Sequence, residues 1–238
     1  MDDRLGVIFD MDGVLIDSYH AHFKSWQRIC EQSGLAITRE QFDATFGRTS
    51  RETIAALWKD SRLTEEEILE LDRRKEALFR EMLRAELPAM PGAVELLQSL
   101  YEAGFALGLG SSGPRENVEL VLDALGNRGW WGAVVTGSDV TRGKPDPQVF
   151  LIAADRLALP PSRCAVVEDA PLGIAAAKQA GMKTIALVST GRTRQMLAQA
   201  DMVVESLAEI TCSSVRNLIL RDQPPASSYA WRSNGLSR

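Results

Sequence analysis

The segment FDMDGVLIDS at residues 9–18 sets two aspartates, Asp10 and Asp12, at the end of an apolar run, with Gly13 directly after them. Carboxylates at i and i+2 of an extended chain point to the same side. At short range such like charges raise one of the two pKa values unless a cation or a shared proton compensates. Carboxylates gathered at a strand end are the oxygen donors that a hard ion such as Mg²⁺ takes. The chemistry open to this pair is phosphoryl transfer. Asp10 can attack a phosphorus atom and form an aspartyl-phosphate. Asp12 can protonate the leaving alkoxide and then take a proton from the incoming water.

Three further groups bear on the same chemistry. Ser111, followed by Ser112 in ALGLGSSG, ends a second apolar run, where a hydroxyl and the next backbone N–H can hold a phosphoryl oxygen. Lys144 lies in RGKPDP, in a loop ahead of a helical pattern. Beside Asp10 its charge would offset the repulsion between carboxylates and phosphate. Glu168 and Asp169 end a further run in VVEDAPLGIAAAKQAG and supply the remaining metal ligands, although alone they would serve equally to cap the helix after them. Singly, Ser-Ser-Gly is a turn and a loop lysine is a solvated charge. In order, each group stands at the carboxyl end of its own strand, the edge where open parallel sheets bind ligands.

Positioning these groups requires a sheet. Apolar runs at 5–9, 105–109, 133–135, 164–167 and 184–188 alternate with helical patterns at 93–103, 116–125, 147–157 and 172–180. Continuous apolar runs of this length suit strands buried on both faces, and the alternation predicts a parallel sheet. Gly104, Gly126 and Gly181 follow three of the helical patterns where a helix-ending glycine belongs. Residues 19 to about 86 break the rhythm. They hold no strand-like run, are rich in Glu, Arg, Leu and Ala at helical spacing, and carry a capping box at Thr64 and Glu67. They read as an all-helical insert, with Pro88 to Pro91 as the return linker, so that both hinges lie near the end of the first strand. The expected organisation is a catalytic core over 1–17 and 89–211, a helical cap over 18–88 and a C-terminal tail over 212–238. In the tail a short helix runs to about Arg221, and the Pro, Ser and Asn content beyond it predicts a flexible or loosely docked segment.

The 238 residues, 45% hydrophobic and 25% charged, have the composition of an ordinary soluble globular protein. A net charge of −5 and a pI near 5.2 give no global attraction to nucleic acid or to an anionic membrane, so an anionic substrate must meet local positive charge. Cys30, Cys164 and Cys212 are odd in number and lack metal-like spacing; Cys164 sits in an apolar run as a small buried hydrophobe. A reduced, intracellular protein fits them best. The first apolar run is too short for a signal peptide or a membrane span, and cytoplasmic is the expected location. No interface is legible, and monomer is the default expectation.

Taken together, the four motifs resemble those of the haloacid dehalogenase superfamily of phosphotransferases, over about residues 5–210. FDMDGVLIDS matches the first motif, Ser111 the second, Lys144 the third and Glu168–Asp169 the fourth. The resemblance implies a Rossmann-like three-layer α/β core with a parallel sheet and an inserted all-helical cap. It also implies Asp10 as nucleophile, Asp12 as general acid/base, and Mg²⁺ held by the Asp10 carboxylate, the Asp12 carbonyl and the acids at 168–169. The dehalogenases themselves lack the second aspartate, so Asp12 argues against that reaction. Within the superfamily the chain is most similar to the branch of β-phosphoglucomutase and related sugar-phosphate phosphatases. That similarity rests on Asp17-Ser18, His22 and Trp26, on GRTSRETI at 47–54, on Lys75 and on GKPDPQVF. It implies substrate-side roles for His22, for Arg51 or Arg48, and for Lys75, with Ser112 beside the phosphoryl group. GRTSR is one residue longer than the pattern of the mutase. Trp130-Trp131 reads as packing near a strand start. The expected activity is a Mg²⁺-dependent phosphatase acting on a small phosphorylated metabolite, a sugar phosphate above all. The alternative is a sugar-phosphate mutase, with the same catalytic residues.

Overall fold

The computed structural model describes residues 4–46, 49–59, 61–126 and 128–221. Its centre is a six-stranded sheet in the order β3-β2-β1-β4-β5-β6, with every pairing parallel. The strands are β1 (Gly6–Phe9), β2 (Ala106–Gly110), β3 (Trp131–Val135), β4 (Cys164–Glu168), β5 (Lys183–Leu187) and β6 (Met202–Val204). The first five fall on the apolar runs of the sequence; β6, three residues at the edge, carries no comparable signal. The order reverses at β1, and β1 and β4 flank that switch point. Crevices of this kind lie outside the carboxyl ends of the strands.

Burial explains why these runs lack the alternation of a one-sided sheet. In β1, Val7 and Phe9 enter the larger apolar cluster on one face, while Ile8 enters the cluster on the other. The helices α5 (Ala93–Glu102), α6 (Arg115–Leu125), α7 (Gln148–Arg156), α8 (Pro171–Gln179) and α9 (Cys212–Leu220) supply the covering layers. Trp131 meets Phe9 edge-on at 6.3 Å and Trp130 stacks on Tyr101 at 5.9 Å, so the tryptophan pair is packing at the start of β3. Cys30 and Cys164 are buried, and burial pushes their thiols up to about 11 and about 12.

One boundary of the sequence reading is corrected here. The helix α9 lies within the segment 212–238 read as a loose tail, yet Val215, Leu218 and Ile219 are buried in the larger cluster. Its apolar residues at i, i+3 and i+4 make one face that the core takes up. Residues 222–238 lie outside the described residues.

Between β1 and α5 stand α1 (Tyr19–Gln32), α2 (Arg39–Asp43), α3 (Ser50–Leu57) and α4 (Glu65–Ala85). Capping boxes open α2, α3 and α4, at Thr38–Gln41, Thr49–Glu52 and Thr64–Glu67. These helices have an apolar cluster of their own around Trp26, Ile29, Phe42, Ile54 and Leu71. The two connections to the sheet run antiparallel: Asp17 N–H donates to the Pro88 carbonyl at 2.8 Å and Met90 N–H to that of Leu15 at 2.9 Å. Entry and exit of the cap are thus tied together beside the end of β1. No helix among the described residues is long and apolar enough to cross a membrane.

Candidate active site

Asp10 is the first residue past β1, and its N–H still donates to the Val167 carbonyl, at 2.9 Å, which fixes it against β4. Lys144 brings its Nζ 2.9 Å from Asp10 Oδ1 and 2.6 Å from Glu168 Oε1. Glu168 Oε2 accepts from the backbone N–H groups of Asp169 and Ala170, at 2.9 and 2.8 Å. Carboxylate oxygens of Asp10, Glu168 and Asp169 gather within 4.8 Å of one another, all three residues buried.

Two glycines make this density possible. Gly13 has φ +78°, and a Cβ there would stand 2.2 Å from Asp169 Oδ2. A Cβ on Gly173, in the first turn of α8, would stand 1.7 Å from Glu168 Oε1. Both are positions where the backbone must come within touching distance of a carboxylate.

Electrostatics decide what the cluster needs. Burial raises the Asp10 carboxyl well above its ordinary value; Lys144 opposes this, while Glu168, Asp12 and Asp169 add to it. Asp169 is pushed up to about 6 by burial and by Glu168, against the pull of Arg192, a Ser189 hydrogen bond and Lys144. For Lys144 burial works toward neutrality, but Asp10 and Glu168 prevail and hold it protonated. Two cations, Lys144 and the more distant Arg192, therefore face three buried carboxylates. An all-oxygen donor set with surplus negative charge fits a hard divalent cation. Glu168 already accepts from Lys144 and two amides, which leaves Asp10 and Asp169 as the freer donors.

Above this floor the cap supplies a second network. His22 Nε2 lies 3.3 Å from Asp12 Oδ1, and Lys75 Nζ lies 2.9 Å from His22 Nδ1. An ammonium only donates, so Nδ1 must accept and Nε2 carries the proton that faces Asp12. Burial works against the Asp12 carboxylate, but His22, Ser18 and Lys75 together hold its pKa below the ordinary value. The His22 ring stacks on Phe79 at 4.0 Å. The Lys75 Nζ also donates to Glu76 Oε1 at 2.7 Å and lies 5.3 Å from the Trp26 ring.

The remaining residues singled out in the sequence divide. Ser112 lines the cavity beside Gly113. Ser111 is fully buried beneath it and its Oγ accepts from the Gly113 N–H at 3.0 Å. Arg51 does not join them: its guanidinium is exposed and paired with Glu65 at the start of α4. That pairing closes a loop between the N-terminal ends of α3 and α4 and leaves Arg51 outside the residues that line the cavity. Arg48, its alternative, lies outside the described residues.

Three cavity residues were missed in the sequence. Glu76 accepts from Lys75, from Ser50 Oγ at 3.0 Å and from Asn117 Nδ2 at 2.6 Å. Asn117, on α6 of the core, also accepts from Arg80 Nη1 at 2.9 Å, so it joins core to cap. Arg192 follows β5 and lines the cavity beside Asp169. Glu76 had a signal, a charge next to Lys75 on the same helix, but nothing local distinguishes it from its solvated neighbours.

The family model described as haloacid dehalogenase-like hydrolase matches residues 7–187. Validoxylamine A 7′-phosphate phosphatase of Streptomyces hygroscopicus subsp. limoneus is 34% identical over 209 residues, 85% of this chain and 94% of that protein. β-Phosphoglucomutase of Bacillus subtilis is 33% identical over 211 residues, 86% of this chain and 91% of that one. The crystal structure of β-phosphoglucomutase from Clostridium difficile superposes with a TM-score of 0.83 at 23% identity, covering 92% of this chain and 98% of that one. That last likeness is one of fold.

Proposed function

The chain belongs to the haloacid dehalogenase-like hydrolase family, and from that premise we propose that it is a Mg²⁺-dependent phosphatase of small phosphorylated metabolites, sugar phosphates above all. The observation that carries the reading is the buried carboxylate of Asp10, 2.9 Å from the Lys144 ammonium and inside the acidic cluster with Asp169. A carboxylate so placed is an oxygen nucleophile with a cation beside it for the incoming phosphoryl charge. Magnesium, held by Asp10 and Asp169, would neutralise that charge further and align the phosphoryl group.

Substrate enters with the cap swung away from the core, and closure excludes bulk water. Asp10 attacks phosphorus, the ester oxygen leaves, and Asp12 gives it a proton. The aspartyl-phosphate then meets water, which loses a proton to Asp12 as its oxygen bonds to phosphorus. Phosphate and free Asp10 result. The contact from His22 favours the ionised form of Asp12, the form that accepts the proton from water. With the cap open His22 is carried off, and Asp12 can take up the proton it will give.

Hydrolysis is preferred to a mutase reaction on one observation. A mutase must bind a second phosphate at the cap end of the cavity. There Arg51 turns outward to Glu65, and Lys75 is taken by Glu76 and His22. Among the described residues the cap itself offers no unpaired cation at that end; the underpaired cation that meets it there, Arg192, belongs to the core and is its single candidate.

The test is incubation with Mg²⁺ and β-glucose 1-phosphate plus a trace of the 1,6-bisphosphate, beside a panel of sugar and polyol phosphates. Free phosphate and glucose 6-phosphate are followed together, with Asp10→Ala as control. Phosphate release that the variant abolishes is the expected outcome. Glucose 6-phosphate formed without free phosphate overturns the phosphatase in favour of the mutase.

A further inference from the structure

Ser189, Thr190, Gly191 and Arg192 form a turn after β5 that touches three parts of the site at once. The Arg192 N–H donates to the Ser189 carbonyl at 3.0 Å and closes the turn. Ser189 Oγ donates to Asp169 Oδ2 at 2.7 Å, and Thr190 Oγ1 to Asp17 Oδ2 at 2.7 Å, on the connection into the cap. Gly191, with φ +80°, packs against the Tyr19 ring, where a Cβ would come within 3.0 Å. The turn is thereby fixed on the floor, on the hinge and on the first helix of the cap.

What it presents is a guanidinium. The Arg192 side chain is only 6% exposed and lines the cavity. It lies over the Phe46 ring at 5.0 Å, and Nη2 reaches the Phe46 carbonyl at 3.5 Å. Its Nε is buried without a hydrogen-bond partner, 3.6 Å from Asp169 Oδ2. A guanidinium carries five N–H donors in a rigid fork. Here a buried fork has one long contact to a carbonyl and one distant carboxylate. Buried charged groups are underpaired in this way at great expense unless a ligand completes them.

Position says which ligand atoms do so. Lys144 contacts Asp10 and Glu168, whereas Arg192 stands beside Asp169 with its guanidinium over Phe46 of the cap. A phosphoester attacked by Asp10 would carry its leaving group away from the floor and toward the cap, the side on which Arg192 meets Phe46. We propose that Arg192 is a substrate-specificity residue whose guanidinium, shelved on Phe46, donates to hydroxyl oxygens of a sugar or polyol leaving group in the closed site. This rests on the phosphatase reading. Neighbouring oxygens of a polyhydroxylated carbon chain match the fork, and the same cavity is lined by the ring of Trp26.

The experiment compares two probes by calorimetry in Mg²⁺ buffer, on Asp10→Asn protein so that neither is turned over. One probe is the tightest binder in a panel of hexose and hexitol phosphates. The other is methyl phosphate, whose leaving group has no hydroxyl. Adding Arg192→Gln is expected to weaken the polyol phosphate by about tenfold or more, the strength of a hydrogen bond to a charged group, while methyl phosphate changes by less than about threefold. Arg192→Lys keeps the charge without the fork and should restore part of the difference; it carries the same comparison if the glutamine variant melts early. Equal changes for both probes, or none for either, overturn the proposal. So does a parent that binds no panel member more tightly than methyl phosphate. Failure of the phosphatase reading shows separately, as discriminating binding with no phosphate released by the wild-type enzyme.

Discussion

Glu76 is a buried charge on the cap side of the site that touches no reacting group. It is buried against Lys75, Ser50 and Asn117. Burial alone would raise its carboxyl, yet Lys75, His22 and the Asn117 hydrogen bond bring it down from 4.5 to about 2. The folded-state pKa thus lies below the unfolded one, so the contribution is complete above pH 4.5 and is lost as pH falls through about 2. At about 1.4 kcal/mol per pKa unit the linkage amounts to about 3 kcal/mol. Glu76→Gln should therefore unfold at lower urea than the wild type at pH 7, with a gap that narrows steadily between pH 4.5 and 2.5. Paired urea titrations across that range check it. A gap that stays constant to pH 2.5 would mean that the carboxylate charge is not its source. Neither this residue nor Arg192 was legible in the sequence. A helix full of Glu and Arg gives no local sign of which charge turns toward the core, and the partners of Glu76 stand at positions 50 and 117. The pairing of Arg51 was hidden for the same reason: its partner Glu65 is fourteen residues away in another helix.

Among the elements, β1, β2 and β4 were legible because each is a continuous apolar run that ends in a polar residue with a task. The strand β6 was not, because three residues cannot show a period. The helix α9 was half legible: its existence was readable, its docking was not, since nine residues preceding a polar segment look alike whether or not a core receives them. Docking makes a prediction. Ile219 is 1% exposed in the larger apolar cluster. Ile219→Ala should lower stability by about 2–4 kcal/mol in urea unfolding, as for other buried isoleucines. A loss under about 0.5 kcal/mol would return α9 to a loose tail. At the other side of the sheet, α8 approaches β4 through Gly173. Helix propensity alone favours alanine there by about 1 kcal/mol. A Cβ 1.7 Å from Glu168 Oε1 must displace either α8 or a carboxylate pinned by Lys144 and two amides. Overpacking of that kind costs about 1–3 kcal/mol and should win. Gly173→Ala is expected to melt lower than wild type and to release phosphate at least about tenfold more slowly; a variant that melts higher with unchanged turnover would place Glu168 in a softer setting than its contacts indicate.

At the scale of the whole molecule, the insertion point was the most informative part of the sequence. A helical block opening directly after the first aspartates and returning through Pro88–Pro91 can only sit over the carboxyl edge of the sheet. The structure adds how the closed cap is held. Apart from the paired connections beside β1, the side-chain bonds between α4 and the core converge on Asn117, which donates to Glu76 at 2.6 Å and accepts from Arg80 at 2.9 Å. Asn117 is 1% exposed and stands in the first turn of α6, the helix that follows the Ser111–Ser112 turn. Hydrogen bonds to charged partners are worth about 1.5–3 kcal/mol each. Losing both removes about 3–6 kcal/mol from the closed state, which at about 1.4 kcal/mol per factor of ten shifts the balance between closed and open cap by about a hundredfold or more. Asn117→Ala is therefore expected to speed hydrogen–deuterium exchange along α4 and to raise KM by about tenfold or more, because substrate must then supply the closing free energy. Exchange in the central strands should remain at wild-type rates, as their protection comes from the sheet. If α4 exchanges no faster and KM holds, closure is maintained by Arg192 against Phe46 and by His22 against Asp12, and Asn117 is only packing.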